Sequence, residues 1–357
     1  MHEIIITVGP SSISHEIIHQ LRKSGAHDYR INLSHSNPKS LQLYSDALSS
    51  AGVSYSIDTQ GAQLRISKIV GSDQFCKGDQ LKIFSDESIS NYSGFALNHA
   101  EFFQQAHPGD ILKVDFDGLT LRLDHIDKLE SVASCTVLRS GPLTLNRAVD
   151  IQGKPMHLDC LTKFDKQAIS KYCNKGIKSI YLSFAKSYND IQICQQLIDE
   201  ACTDKTIKPR LIAKIESRQG ILNLREIANS VDGILIDRGD LSREISISRI
   251  PLATKAILDV CLKLKTPCFV ATNILDSMMS NQLPSRAEIS DLFNLFSSGV
   301  SGIVLAAEVA IGKHPVESVQ VVTHMSKIYQ ADLDQTLPFL PGSDLFSKLN
   351  GPLGSWL

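Results

Sequence analysis

Short apolar runs recur along the chain at residues 4–7, 29–33, 53–57, 179–183, 210–214, 233–236, 268–271 and 302–305. They are rich in β-branched residues and show little polar alternation, which is the pattern of strands buried on both faces. Stretches of helical length lie among them at 14–24, 38–50, 165–175, 188–203, 218–229, 248–264, 286–298 and 315–329. In these, apolar residues return every three or four positions, as in Ile17 and Leu21 or Ile193, Leu197 and Ile198. Strands alternating with helices argue for a parallel sheet with right-handed crossovers. Eight such units, with no G-x-G-x-x-G after the first strand, predict an α/β fold of the (β/α)8 TIM-type barrel class over an open doubly wound sheet.

One connection breaks the rhythm. Roughly a hundred residues separate the third strand from the helix near 165, and this stretch has little helical periodicity. Runs at 80–84, 110–115, 119–123 and 134–138 read as strands, with turns marked by Gly78, Gly109 and Gly118. The expectation is a small inserted all-β lid domain over residues 66–142. The barrel then comprises residues 1–65 and 143–331, and a surface tail rich in Pro and Gly occupies 332–357. Such an insert leaves from the barrel face that carries active sites.

A length of 357 residues is ample for two units of this kind. Lys and Arg number 36 against 38 Asp and Glu, a net charge of −2. That balance gives no support to binding of nucleic acid or an anionic membrane surface. No apolar run has the length of a membrane span, and the N-terminus lacks the basic and apolar regions of a signal peptide. The eight cysteines are scattered with no C-x-x-C pair, so reduced thiols in a cytoplasmic protein are expected.

Barrel chemistry sits at the C-terminal ends of the strands, so polar residues there carry the functional argument. Arg30, Asn32 and Ser34 share one face of the second strand, an arginine beside neutral oxygens. This suits an anion site next to a hard-cation site, or a plain polar strand end. Asp58 ends the third strand and Arg65 lies at the root of the insert. Arg30 and Arg65 converging on one mouth would suit a phosphate. Lys214 and Glu216 share a face of the fifth strand, where a lysine is costly unless paired or poised. Gly239 permits close approach of a ligand to the backbone, and Asp240 with Glu216 forms a carboxylate pair typical of Mg²⁺ or Mn²⁺. Thr272 either meets a substrate or caps a following helix. Together these suit metal-assisted chemistry on a phosphorylated or carboxylated small molecule.

The order of these motifs resembles the pyruvate kinase family. The matching segments are Thr7-Val8-Gly9-Pro10-Ser11-Ser12, Arg30-Ile31-Asn32-Leu33-Ser34-His35, Asp58-Thr59-Gln60-Gly61, Lys214-Ile215-Glu216, Arg238-Gly239-Asp240-Leu241, Ala271-Thr272 and Pro284-Ser285-Arg286-Ala287-Glu288. The resemblance implies a phosphotransferase that converts phosphoenolpyruvate and ADP to pyruvate and ATP, a glycolytic reaction. It further implies K⁺ held by Asn32, Ser34, Asp58 and Thr59, and Mg²⁺ or Mn²⁺ held by Glu216 and Asp240. Arg30 and Arg65 would bind the transferring phosphoryl group, and Lys214 would stabilise it together with the enolate. Thr272, with the backbone at Gly239 and Asp240, would hold the substrate carboxylate. His35 and Arg147 would contact nucleotide phosphates.

The chain also departs from the family pattern. Gln60 replaces a lysine, Asp237 an alanine and Ser242 a glycine, while Ala306, Ala307 and Val309 alter a Ser-Gly-Glu-Thr run. The segment 114–118 carries one residue more than the family has there. The resemblance implies a short form without the C-terminal regulatory domain, forming a homodimer through the barrel if it assembles. Asp237 would repel an anionic substrate if it faces the mouth, and would be harmless if paired with Arg238 or Arg243. The altered rim keeps two alternatives open. One is a divergent metal-dependent lyase or transferase acting on a pyruvate-like enolate, and the other is a non-catalytic relative.

Overall fold

The computed structural model describes residues 2–85, 93–115, 118–154, 156–202 and 208–333, with side chains to residue 330. The expected tail from residue 334 onward, Phe116 and Asp117 lie outside the described residues, and residues 332 and 333 end the final helix instead. Eight parallel strands close a barrel: β1 (Glu3–Thr7), β2 (Asp28–Asn32), β3 (Tyr55–Asp58), β4 (Ser179–Leu182), β5 (Arg210–Ile215), β6 (Gly233–Asp237), β7 (Cys268–Ala271) and β8 (Gly302–Leu305). Each strand pairs in parallel with its sequence neighbours, and β8 returns to β1.

The apolar runs are continuous because both strand faces are buried. Ile5, Tyr181, Ile212, Leu235, Phe269, Ala271 and Val304 fill the barrel interior as one cluster. Their neighbours, such as Ile4, Ile6, Ile180 and Ile234, face outward to the helices and join the larger core. Successive side chains on a strand point to opposite faces, which separates the two clusters. Helix starts are fixed by reciprocal capping boxes at Asn37 and Ser40, Thr162 and Asp165, Ser187 and Asp190, and Ser285 and Glu288. The helix expected over 218–229 is two short helices, Arg218–Leu222 and Leu224–Ala228, broken at Asn223. The final helix runs from Pro315 to Leu333, past residue 329.

The segment after β3 forms a second, seven-stranded sheet with its own core, which includes Phe95, Phe102, Leu112, Leu121 and Val137. Sequence patterning found four of its strands: Gln80–Ser85, Ile111–Val114, Thr120–Asp127 and Val132–Arg139. It missed Ile66–Val70, Gly94–Leu97 and Val149–Ile151. The last of these lies beyond residue 142, so the sheet continues into the stretch read as barrel. Entry and exit of the insert are hydrogen-bonded to each other. Ile66 donates to the Arg147 carbonyl at 3.0 Å, Val149 to that of Leu64 at 2.9 Å and Asn146 to that of Ile66 at 2.8 Å.

Candidate active site

At the C-terminal ends of the strands a cavity of about 1020 Å³ opens between the barrel and the insert. Its wall includes Arg30, Asn32, Ser34, His35, Arg65, Arg147, Lys214, Glu216, Gly239, Asp240 and Thr272, the sequence candidates except Asp58 and Thr59. Those two are fully buried behind it.

Asp58 anchors the arrangement. Its Oδ2 accepts from Arg30 Nη1 at 2.7 Å and from Lys214 Nζ at 3.3 Å, and its Oδ1 accepts from Ser183 Oγ at 3.1 Å. Arg30 also donates to Thr7 Oγ1 through Nε (3.1 Å) and Nη2 (2.6 Å). The guanidinium is thus fixed in one orientation, with its fork partly used by the protein. Asn32 stands beside Asp58 in the β2–β3 register. Ser34 does not continue the strand as expected. It lies in a one-turn helix over Leu33–His35, which Asn32 caps by accepting the Ser34 N–H at 2.9 Å. Thr59 Oγ1 accepts the Ser183 N–H at 3.0 Å. One carboxylate with neutral oxygens is a donor set of the kind a hard monovalent cation takes, though several of these oxygens already have protein partners.

The loop beyond Thr59 is held by a residue that sequence reasoning passed over. Buried Asp165 accepts the N–H groups of Gln60 (2.7 Å), Gly61 (3.1 Å) and Thr162 (2.9 Å). Gly61 has φ +69°, and a Cβ there would lie 2.5 Å from the Ser183 carbonyl oxygen, so only glycine fits.

Lys214 is ringed by acids. Its Nζ lies 2.8 Å from Glu216 Oε1, 3.3 Å from Asp58 Oδ2 and 3.5 Å from Asp237 Oδ2. Burial disfavours the ammonium, but Asp58, Glu216 and Asp237 together outweigh it and push its pKa upward. Glu216 Oε2 accepts the Phe184 N–H at 2.6 Å. Its Oε1 is buried and makes only the ion pair with Lys214, with no hydrogen bond to a donor. Burial, with Asp237, Asp240 and Asp58 nearby, pushes the Glu216 carboxyl up to about 8. Asp240 is also raised, by burial and then by Asp237.

Glu216, Asp237 and Asp240 each present an oxygen within 4.8 Å of the others. Glu216 and Asp240, both with raised pKa values, fit a divalent cation, which would relieve their repulsion. The residues present therefore suit Mg²⁺ or Mn²⁺. Asp237 was expected either to repel a ligand or to pair with Arg238 or Arg243. It does neither of the latter. Its Oδ1 accepts from Thr272 Oγ1 at 2.9 Å and its Oδ2 faces Lys214. Burial opposes the Asp237 carboxylate, but Lys214, Arg30 and the Thr272 hydroxyl hold its pKa down. Arg238 pairs instead with Asp291 at 2.8 Å, and Arg243 lies 3.5 Å from Asp150 and 4.0 Å from both Asp115 and Asp240.

Thr272 caps no helix. Its Oγ1 accepts the Gly239 N–H at 2.8 Å, and its one proton faces Asp237 Oδ1 and, at 2.6 Å, the Ala271 carbonyl. Thr272 (φ +64°) and Asn273 (φ +53°) both lie in the left-handed region, which is strained for a β-branched residue. Arg65 donates to the Asn146 carbonyl at 2.9 Å, while its Nε is buried with no acceptor. Arg147 pairs with Asp115 at 2.9 Å, and His35 is exposed at the rim. Thr7, Ser183 and Phe184 touch site residues yet received no role from the sequence. Only the strand-end position of Ser183 and Thr7 hints at it.

The profile of the pyruvate kinase barrel domain matches residues 1–319. Pyruvate kinase from Sporosarcina psychrophila is 29% identical over 93% of this chain and 57% of its own length. The Bacillus licheniformis enzyme is 30% identical over 91% of this chain and 56% of its own length. The chain thus spans a little over half the length of these curated relatives. The crystal structure of Cryptosporidium parvum pyruvate kinase superposes with a TM-score of 0.81, covering 98% of this chain and 76% of that one. At 24% identity that likeness speaks for the fold. Among the described residues no helix is long and apolar enough to cross a membrane. With the closed eight-stranded barrel, the inserted sheet and a family profile matched over most of its length, the chain belongs to the pyruvate kinase family.

Proposed function

We propose that the mouth carries out phosphoryl transfer between phosphoenolpyruvate and ADP, as the family relationship suggests. The observation that carries this reading is Lys214. A fully buried ammonium stands within 3.5 Å of three carboxylates, next to two carboxylates that suit a divalent ion. Phosphoryl transfer asks a protein mainly for positioning and charge neutralisation. Arg30, pinned by Thr7 and Asp58, offers a fixed positive charge to the phosphoryl oxygens. Arg65 offers its unpartnered Nε from the root of the insert. Lys214 neutralises negative charge that develops on the enolate and on the group in flight. Glu216 and Asp240 would hold Mg²⁺ or Mn²⁺, which would supply neutralisation of the phosphoryl group's negative charge. Asn32, Ser34, Asp58 and Thr59 are the residues proposed for K⁺. His35 and Arg147 at the rim are those proposed for the nucleotide phosphates.

A second reading, an enzyme acting on a different enolate, is favoured by one observation. Asp237 adds a third carboxylate beside the metal pair. ³¹P NMR of the full chain with phosphoenolpyruvate, ADP, Mg²⁺ and K⁺ tests the first reading. Phosphate is expected to move to ADP in the wild type and not in Lys214→Met. Absence of transfer in the wild type sinks it.

A further inference from the structure

The two-carboxylate metal site leaves Asp237 without an assigned task, yet the fold holds it firmly. It ends β6, pairs in register with Ala271 of β7 and is 5% exposed. Its oxygens take the Thr272 hydroxyl at 2.9 Å and face the Lys214 ammonium at 3.5 Å. The Gly239 N–H, 2.8 Å from Thr272 Oγ1, completes the same corner. A hydroxyl, an ammonium and a backbone amide are the groups an anionic ligand would seek beside Glu216 and Asp240.

We propose that Asp237 is a resident carboxylate that competes with a ligand's carboxylate for Thr272 and Lys214, and so determines the selectivity of the mouth. The proposal rests on reading the mouth as the phosphoryl-transfer site. One hydroxyl proton cannot serve two carboxylates at once. Two negative groups forced together where solvent is excluded repel strongly. Asp237 is fixed by strand pairing, so the incoming group bears the cost. The Nε of Arg65 has no resident acceptor, so a phosphoryl group meets no such competitor there. A phosphoryl group therefore meets less competition from Asp237 than a carboxylate does, and the carboxylate end of a ligand is held weakly and released easily.

Asp237→Asn keeps the shape and an acceptor for Thr272 while removing the charge. Calorimetric titration of the full chain at saturating Mn²⁺ compares oxalate, a dicarboxylate, with inorganic phosphate. Oxalate is expected to bind Asp237→Asn at least about tenfold more tightly than wild type, with phosphate affinity rising by a smaller factor because phosphate shares with Asp237 only the Lys214 ammonium. Equal or weaker oxalate binding by the variant overturns the proposal. Asp237→Ala, shown by its melting curve to be folded, is expected to shift oxalate binding in the same direction, and a shift the other way also overturns it. These readouts need no turnover. A tightened oxalate site without phosphate transfer to ADP would refute the proposed reaction and leave the role of Asp237 standing. Where transfer occurs, the KM for phosphoenolpyruvate falls in Asp237→Asn by a larger factor than kcat changes.

Discussion

Asp58 illustrates what a single residue does in this site. It is fully buried and serves Arg30, Lys214 and Ser183 at once. Removing one member of a buried charge network leaves the others uncompensated, so Asp58→Ala is expected to cost about 3–5 kcal/mol, measured by denaturant unfolding. A loss below about 1 kcal/mol would show that water or Glu216 takes over the two cations. Asp58 and Glu216 were legible because a charge at the end of an apolar run has few other places to be, and Lys214 because it interrupts one, whereas Asp240 sits one turn on, in the short helix Arg238–Leu241. The sequence left the partner of Asp237 open. Arg238 and Arg243 are its near neighbours in the chain, whereas Thr272 and Lys214 lie on adjacent strands, and cross-strand partners follow from register. The Thr162-x-x-Asp165 spacing marks a helix cap, but no local pattern marks the further hold of Asp165 on backbone N–H groups about a hundred positions away.

At the scale of elements, the insert and the barrel meet over the cavity through charge. Arg243, in the loop after Asp240, reaches Asp115 and Asp150 of the insert. Arg243→Ala is expected to speed amide hydrogen exchange in Ile111–Val114 and Val149–Ile151, with stability changed by no more than about 1 kcal/mol because these acids are partly exposed. Unchanged exchange would mean that the paired entry and exit segments hold the insert unaided. The eight barrel strands were legible because burial on both faces erases alternation and helices punctuate them. The insert was legible only in part. Gly94–Leu97 and Ile66–Val70 are as long as barrel strands but lack the alternating helices that set those apart, and Val149–Ile151 follows a stretch without a clear turn signal. Their pairing partners are distant in sequence, so length and periodicity alone do not mark them.

For the molecule as a whole, the crowded carboxylates couple folding to pH and metal. Burial is the leading cause that pushes the Glu216 carboxyl from its ordinary 4.5 up to about 8 in the fold. Between those values the folded state holds a proton that the unfolded chain does not, so stability falls as pH rises from 4.5 to 8. Asp240, raised for the same reason, adds to that slope, while Asp237, whose pKa is lowered, opposes it only at lower pH. Thermal melts of the metal-free chain are expected to decline through this window, and Mn²⁺ to restore stability most at its upper end. A flat profile without metal would show that Lys214 alone balances the acids. The paired entry and exit of the insert bear on the molecule's history as well as its mechanics. Arg65 and Ala148 form a bridge, so the two ends of the insert are neighbours where they leave the barrel. A tight turn could join them without disturbing a barrel strand. The insert is therefore a cassette that recombination or a designer can exchange as a unit, leaving Lys214, Glu216 and Asp240 in place while renewing the roof above them.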